Sequence, residues 1–352
     1  MMKITGCRTH VVRVGHDESI NGVHIVLRLQ TDAGLEGISY ITRLHDAAPA
    51  ALSVLRLYVD RIVGMDPLAP EAITDRLLLR GRPLPWFEAR AASAIDVALW
   101  DIRGKAAGQP VYKLMGGARD RVACYASWRI EPDKDLDKVA RSAERHVASG
   151  FRAMKCHLGR ESLSRAVEHM RVLREAVGPE VDIMVDVNQQ WSVKQAIAYT
   201  RALAPFQPYW LEDATSNVDF EGLRQVSEAI EIPTCAGETY YSIASFRPLV
   251  EHRCVDIVMV DQDLGLSGAL KVAHLAEIYG LKVVPHLATE ILAHLIAAVS
   301  NGLTVEYYPW ALPLFKQVPP VESGELVMSS RPGLGLELDE SALSHYAYAG
   351  GN

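Results

Sequence analysis

Asp186, Glu212 and Glu238 recur at equal intervals of 26 residues, each at or near the end of a short apolar run (DIMVDVN, PYWLED, PTCAGE). Three carboxylates with no cysteine or histidine ligand beside them suit a hard divalent cation, preferably Mg2+ with positions left open for substrate oxygens. Such an ion would also relieve their mutual repulsion. Other runs end in the same way, with Lys155 and His157 in FRAMKCH, Asp261 in CVDIVMVD, His286 in LKVVPH and Glu306 in LTVEYY. Lys155 and His157 are two apart, so on a strand both face one side while Cys156 faces the other. Opposite three carboxylates, one of the pair can hold a substrate carboxylate while the other moves a proton. Asp261 can accept from one ring nitrogen of His286, fix its tautomer and raise the basicity of the other, which makes an acid/base dyad. Asp263, of the same parity, ranks second as that partner. Glu306 could donate a proton or hydrogen bond to a developing oxyanion if burial raised its pKa.

Scaffolding must bring these groups together. Eight apolar runs, the seven-residue VACYASW first, follow one another at roughly 20 to 31 residues. Amphipathic helices separate them, such as DLDKVARSAERHVASG, with Leu136, Val139, Ala140, Ala143 and Val147 on one stripe and Gly150 as a stop. Near-continuous apolar strands alternating with helices predict right-handed βα units and a parallel sheet. A doubly wound open sheet would look similar run by run. A barrel is preferred because the polar residues fall at the carboxyl ends of the strands, where a barrel gathers them on one rim. Upstream, the chain to about residue 60 reads as a strand meander, followed by helical spacing in ARAASAIDVALWDIRGKAAG, where Ala92, Ile95, Ala98, Leu99 and Ile102 share a face. The expected organisation is an α+β cap over 1–117, a catalytic barrel over 118–315 and a segment returning to the cap over 316–352.

Composition narrows the function. The 352 residues are 49% apolar and 22% charged with a formal charge of −7, which excludes a disordered chain and gives no basic footprint for nucleic acid or a membrane surface. A small molecule is the expected partner. Five scattered cysteines without a CxxC pair predict neither disulfide framework nor zinc ribbon, and a reducing, cytoplasmic setting. The amino-terminal residues alternate polar and apolar, unlike a signal peptide, and there is no run of about 18 apolar residues. GxxxxGK and GxSxG motifs are absent, as is the HxH pair of a zinc hydrolase barrel.

Taken in order, ARAASAIDVALWDIRGKAAGQPVYKLMGG, VDVNQQW, LED and RPGLGLELD resemble the enolase superfamily, and most closely its mandelate racemase-like branch of acid-sugar dehydratase type. The resemblance spans nearly the whole chain. It implies an α/β fold, a modified (β/α)7β barrel under an α+β cap, with one Mg2+ per subunit on Asp186, Glu212 and Glu238. Lys155 and His157 would occupy the family's KxK pair, Asp261 and His286 its Asp–His dyad, and Glu306 its electrophilic acid. Asn188 matches the polar residue beside the first ligand and is a substrate-binding candidate. Cap loops around residues 14–22 and 40–48 would close the site and select the substrate, with His16, His24, Arg43 and His45 as substrate-binding candidates. A homo-oligomer is also implied. The sequence departs from the pattern in His157, which replaces the second lysine, in Ala214, which replaces a proline, and in one extra residue before Ser267-Gly268. The implied chemistry removes the proton α to a carboxylate through an enediolate, stabilised by metal and base as is general in enolase-superfamily sites. Dehydration of an acid sugar to a 2-keto-3-deoxy acid, with His286 protonating the leaving hydroxyl, is favoured. A racemase, epimerase or cycloisomerase is the alternative.

Overall fold

Alternating β-branched residues in the first strands fold as an antiparallel meander. β1 (Ile4–Asp17) pairs with β2 (Ile20–Thr31), and β2 with β3 (Glu36–Ile41). The computed structural model describes residues 1–17, 20–77, 85–127, 130 and 135–348. Residues 48–60, inside the stretch expected as strand, are instead the helix α1 (Ala48–Asp60). Ala48, Ala51, Leu52, Leu55 and Val59 recur at helical spacing and bury one face, a period that the neighbouring strand signals mask. After α2 (Pro70–Leu77), the long helix α3 (Trp86–Ala107) is buried on two sides. Ile95, Ala98, Leu99 and Ile102 enter the cap core, while Val97 and Trp100 belong to the core shared with the barrel. β3 crosses α3 closely: a Cβ on Gly37 would lie 2.0 Å from the Ala98 carbonyl. A short α4 (Val111–Met115) leads into the barrel.

The barrel strands are β4 (Arg121–Ala126), β5 (Ala153–His157), β6 (Asp182–Asp186), β7 (Leu211–Glu212), β8 (Thr234–Ala236), β9 (Ile257–Asp261), β10 (Lys282–His286) and β11 (Val305–Tyr307). Between them lie α5 (Leu136–Ala148), α6 (Leu163–Val177), α7 (Val193–Leu203), α8 (Phe220–Ala229), α9 (Ile243–Glu251), α10 (Gly265–Ile278) and α11 (Thr289–Ala298). β4 to β10 pair in parallel in chain order. β11 pairs in parallel with β4, and the Leu303 N–H donates to the Val283 carbonyl at 2.9 Å, so the sheet closes. Among the described residues this is a (β/α)7β barrel, not an open sheet. Tyr125, Met184, Trp210, Cys235, Met259 and Val284 fill its inside. Cys156 points outward, its Sγ 3.8 Å from Met170 Sδ on α6, and none of the five cysteines is in a disulfide.

The chain then runs back to the cap. β12 (Val321–Glu322) pairs with β13 (Glu325–Val327), which adds antiparallel to β4. The Leu334 N–H donates to Asp101 Oδ1 on α3 at 2.8 Å, and α12 (Glu340–His345) brings Glu340 into an ion pair with Arg28 on β2. His294 on α11 ties three segments together: its Nδ1 accepts from the Tyr112 N–H and its Nε2 lies against the Leu334 carbonyl, each at 3.1 Å. Burial lowers its pKa to about 4. No helix among the described residues is long and apolar enough to cross a membrane.

Candidate active site

Parallel register sets the chemistry-bearing residues side by side. His157 on β5 faces Asp186 on β6, Asp186 faces Glu212 on β7, and His286 on β10 faces Asp261 on β9. Glu238 lies two residues beyond the end of β8, after Gly237, whose φ of +134° and approach to the Met259 carbonyl (2.3 Å from a would-be Cβ) admit only glycine. Trp210 precedes Glu212 by two, so both face inward, and its Nε1–H donates to Glu212 Oε2 at 3.0 Å.

Lys155 is the buried cation of the site, with Nζ 2.5 Å from Glu212, 3.1 Å from Glu306 and 4.0 Å from Asp186. Burial alone would lower its pKa, but Glu212 and Glu306 raise it well above its ordinary value. Glu212 is pushed up to about 7 by burial and by Asp186, Glu306 and Glu238, against the pull of Lys155. Asp186 moves the other way. Burial opposes its ionisation, yet His157, Lys155 and the Asn188 N–H together hold its carboxyl below the usual range.

The two histidines flank this group. His157 Nε2 is 3.2 Å from Asp186 Oδ2, while His286 Nε2 is 3.0 Å from Glu238 and its Nδ1 2.6 Å from Asp261. Asp261 is thus the carboxylate at His286 Nδ1, while Asp263 turns to Arg90, at 3.0 Å from Nε. Glu306 also departs from expectation. Burial raises its pKa, but Lys155, His286, Ser127 and the Leu287 N–H (2.7 Å) outweigh burial, so it stands as an ionised acceptor rather than a proton donor. Asn188, expected to touch substrate, directs both its N–H and its Nδ2 at Asp186, each at 2.8 Å. It orients that carboxylate.

Among the described cap candidates, Arg43 reaches the carboxylates at the strand ends, with Nη2 3.0 Å from Asp261 Oδ2. His24 is a core residue, fully buried edge-on to Tyr40 and Trp310 and kept neutral, its pKa lowered by burial to about 3. His45 is exposed on the same turn as Arg43, and the His16 side chain lies outside the described residues. Sequence reasoning missed Trp210, Ser127 and Arg90. Trp210 was recoverable from its parity with Glu212, but Ser127 and Arg90 act across the fold and leave no local signal.

The carboxylates are of the kind that takes Mg2+. Asp186, Glu212 and Glu238 offer only hard oxygen donors from successive strands, and repulsion between them contributes to raising Glu212. Each is met here by Lys155, His157 or His286, and among the described residues no three acidic, histidine or cysteine side chains are drawn together at ligand spacing.

Comparison with known proteins gives matches at every level. Residues 10–116 match the model of the mandelate racemase/muconate lactonizing enzyme N-terminal domain, and residues 138–342 that of the enolase C-terminal domain-like family. The chain is 30% identical over 336 residues to the L-talarate/galactarate dehydratase of Salmonella typhimurium, covering 94% of this chain and 84% of that protein. It is 31% identical over 333 residues to the 3,6-anhydro-alpha-L-galactonate cycloisomerase of Streptomyces coelicolor, covering 92% and 91%. The crystal structure of L-talarate dehydratase from Polaromonas sp. JS666, complexed with Mg and L-glucarate, superposes with a TM-score of 0.91 at 28% identity, covering 99% of this chain and 98% of that one.

Proposed function

From the chain's membership of the mandelate racemase/muconate lactonizing enzyme branch of the enolase superfamily, we propose that it is a Mg2+-dependent lyase that dehydrates an acid sugar to a 2-keto-3-deoxy acid. One observation carries the reading: two imidazoles flank the three carboxylates, each with a ring nitrogen at the carboxylate rim. Asp186, Glu212 and Glu238 would hold Mg2+, which would supply Lewis-acid stabilisation of the negative charge growing on the substrate carboxylate. Lys155, locked between Glu212 and Glu306, stays positive and adds a second charge there. His157 Nε2 takes the proton from the α-carbon. His286 Nε2 gives its proton to the β-hydroxyl as the C–O bond breaks and water leaves, while Asp261 on Nδ1 holds the ring in place. The resulting enol tautomerises to the 2-keto acid, losing its hydroxyl proton to solvent and taking one up at the β-carbon. Similarity to a cycloisomerase supports a second reading, in which the same two faces rearrange the acid without loss of water.

Purified protein with Mg2+, screened in D2O against aldonic and aldaric acids, decides between them. Keto acid formed from one substrate and lost in His286→Asn is the expected result. Deuterium at the α-carbon without keto acid overturns dehydration in favour of isomerisation.

A further inference from the structure

Arg43 enters the barrel from the cap. It lies in the turn between β3 and α1, and its Nη2 contacts Asp261 Oδ2, the oxygen that also faces His286 Nδ1. The turn that delivers it is strained, because Arg43 and His45 have left-handed φ angles of +56° and +44° without being glycine. A second arginine restrains it. Arg90 on α3 is 2% exposed, stacks over Trp86 at 4.2 Å, places Nε 3.0 Å from Asp263 Oδ2 and donates from Nη1 to the Thr42 carbonyl, immediately before Arg43, at 2.5 Å. The Asp263 N–H donates in turn to Asp261 Oδ1 at 2.9 Å, and Gln262 Nε2 donates to the Tyr40 carbonyl. Both oxygens of the dyad carboxylate are therefore set by groups that Arg90 gathers: one by Arg43, the other by the Asp263 backbone.

We propose that Arg90 and Asp263 form a latch between cap and barrel that seats Arg43 on Asp261 and so orients His286, making Arg90 a positioning residue for the reaction though it touches no substrate. The inference rests on the reading of Asp261 and His286 as the acid/base dyad. A buried ion pair with a merely structural role would leave the dyad unmoved.

Two readouts test it on the full chain. In protein carrying isotope-labelled histidine, the His286 ring signals, assigned by their loss in H286N, are expected to shift in R90Q and less in R90K. For an acid sugar that the unmodified protein converts, R90Q is expected to lower kcat about 10- to 100-fold with little change in KM. R43K is expected to retain more activity than R43Q, and R90Q/D263N to be no worse than the weaker single variant. His286 signals that stay in place in folded R90Q overturn the latch, as does a kcat equal to that of the unmodified protein. Should R90Q fail to fold, D263N carries both readouts with the same expected shifts and R90K with smaller ones. Signals that move while the unmodified protein converts no acid leave the latch standing and overturn the proposed reaction instead.

Discussion

His286 has a carboxylate at each ring nitrogen, and that decides what it can do. Burial pushes its pKa down, but Glu238 and Asp261 reverse this and raise it to about 9, which supports the proposed role of proton donor to a leaving hydroxyl. His286→Asn is expected to cut keto acid formation by roughly 10²- to 10⁴-fold while Mg2+ still binds, checked by coupled assay and calorimetry. Lys155 has a double task. Lys155→Met removes the substrate's cation and leaves Glu212 and Glu306 facing each other in a buried site, so turnover should vanish and stability fall by about 3 kcal/mol in urea unfolding. The proposed metal carboxylates and dyad could be picked out in the sequence because each lies at or just beyond the end of a strand. The ionised state of Glu306 was not, because it depends on Lys155, which is far away in sequence.

Among the elements, α3 does most to join cap and barrel, and its polar residues do this as much as its apolar face. Asp101 accepts from the Ile38 N–H at 2.9 Å, the Leu334 N–H at 2.8 Å and Lys105 Nζ at 2.6 Å, linking the cap sheet, the helix and the returning chain. Asp101→Ala leaves these donors without an acceptor and is expected to cost about 3 kcal/mol, read from the denaturation midpoint. Helical periodicity showed α3 plainly and marked Ile95 and Leu99 as core. It could not show that Asp101 is buried, since a charged residue in a helix ordinarily points to water. α1 was misread for a related reason: its pattern follows directly on strands of similar composition.

At the scale of the molecule, buried neutral histidines make stability depend on pH. His294 and His24 have pKa values lowered to about 4 and about 3, below the roughly 6.5 of an unfolded histidine. As pH falls below 6.5 the unfolded chain takes up protons that the folded chain refuses, so stability drops until each folded pKa is reached, by about 3 kcal/mol for His294. Urea midpoints between pH 7 and pH 4.5 should fall less steeply in His294→Gln. The barrel itself was legible from strand spacing, whereas the joints between its parts were not, because His294, Arg90 and Asp101 each meet partners far off in sequence. Those joints also impose an order on assembly during synthesis. Domains emerging from a ribosome generally fold from the amino-terminal side, yet Asp101 and His294 lack their Leu334 partner, and Arg28 its Glu340, until residues beyond 330 are out. Until then the cap is an unfinished half, so a nascent chain stalled after β11 should remain sensitive to protease across α3.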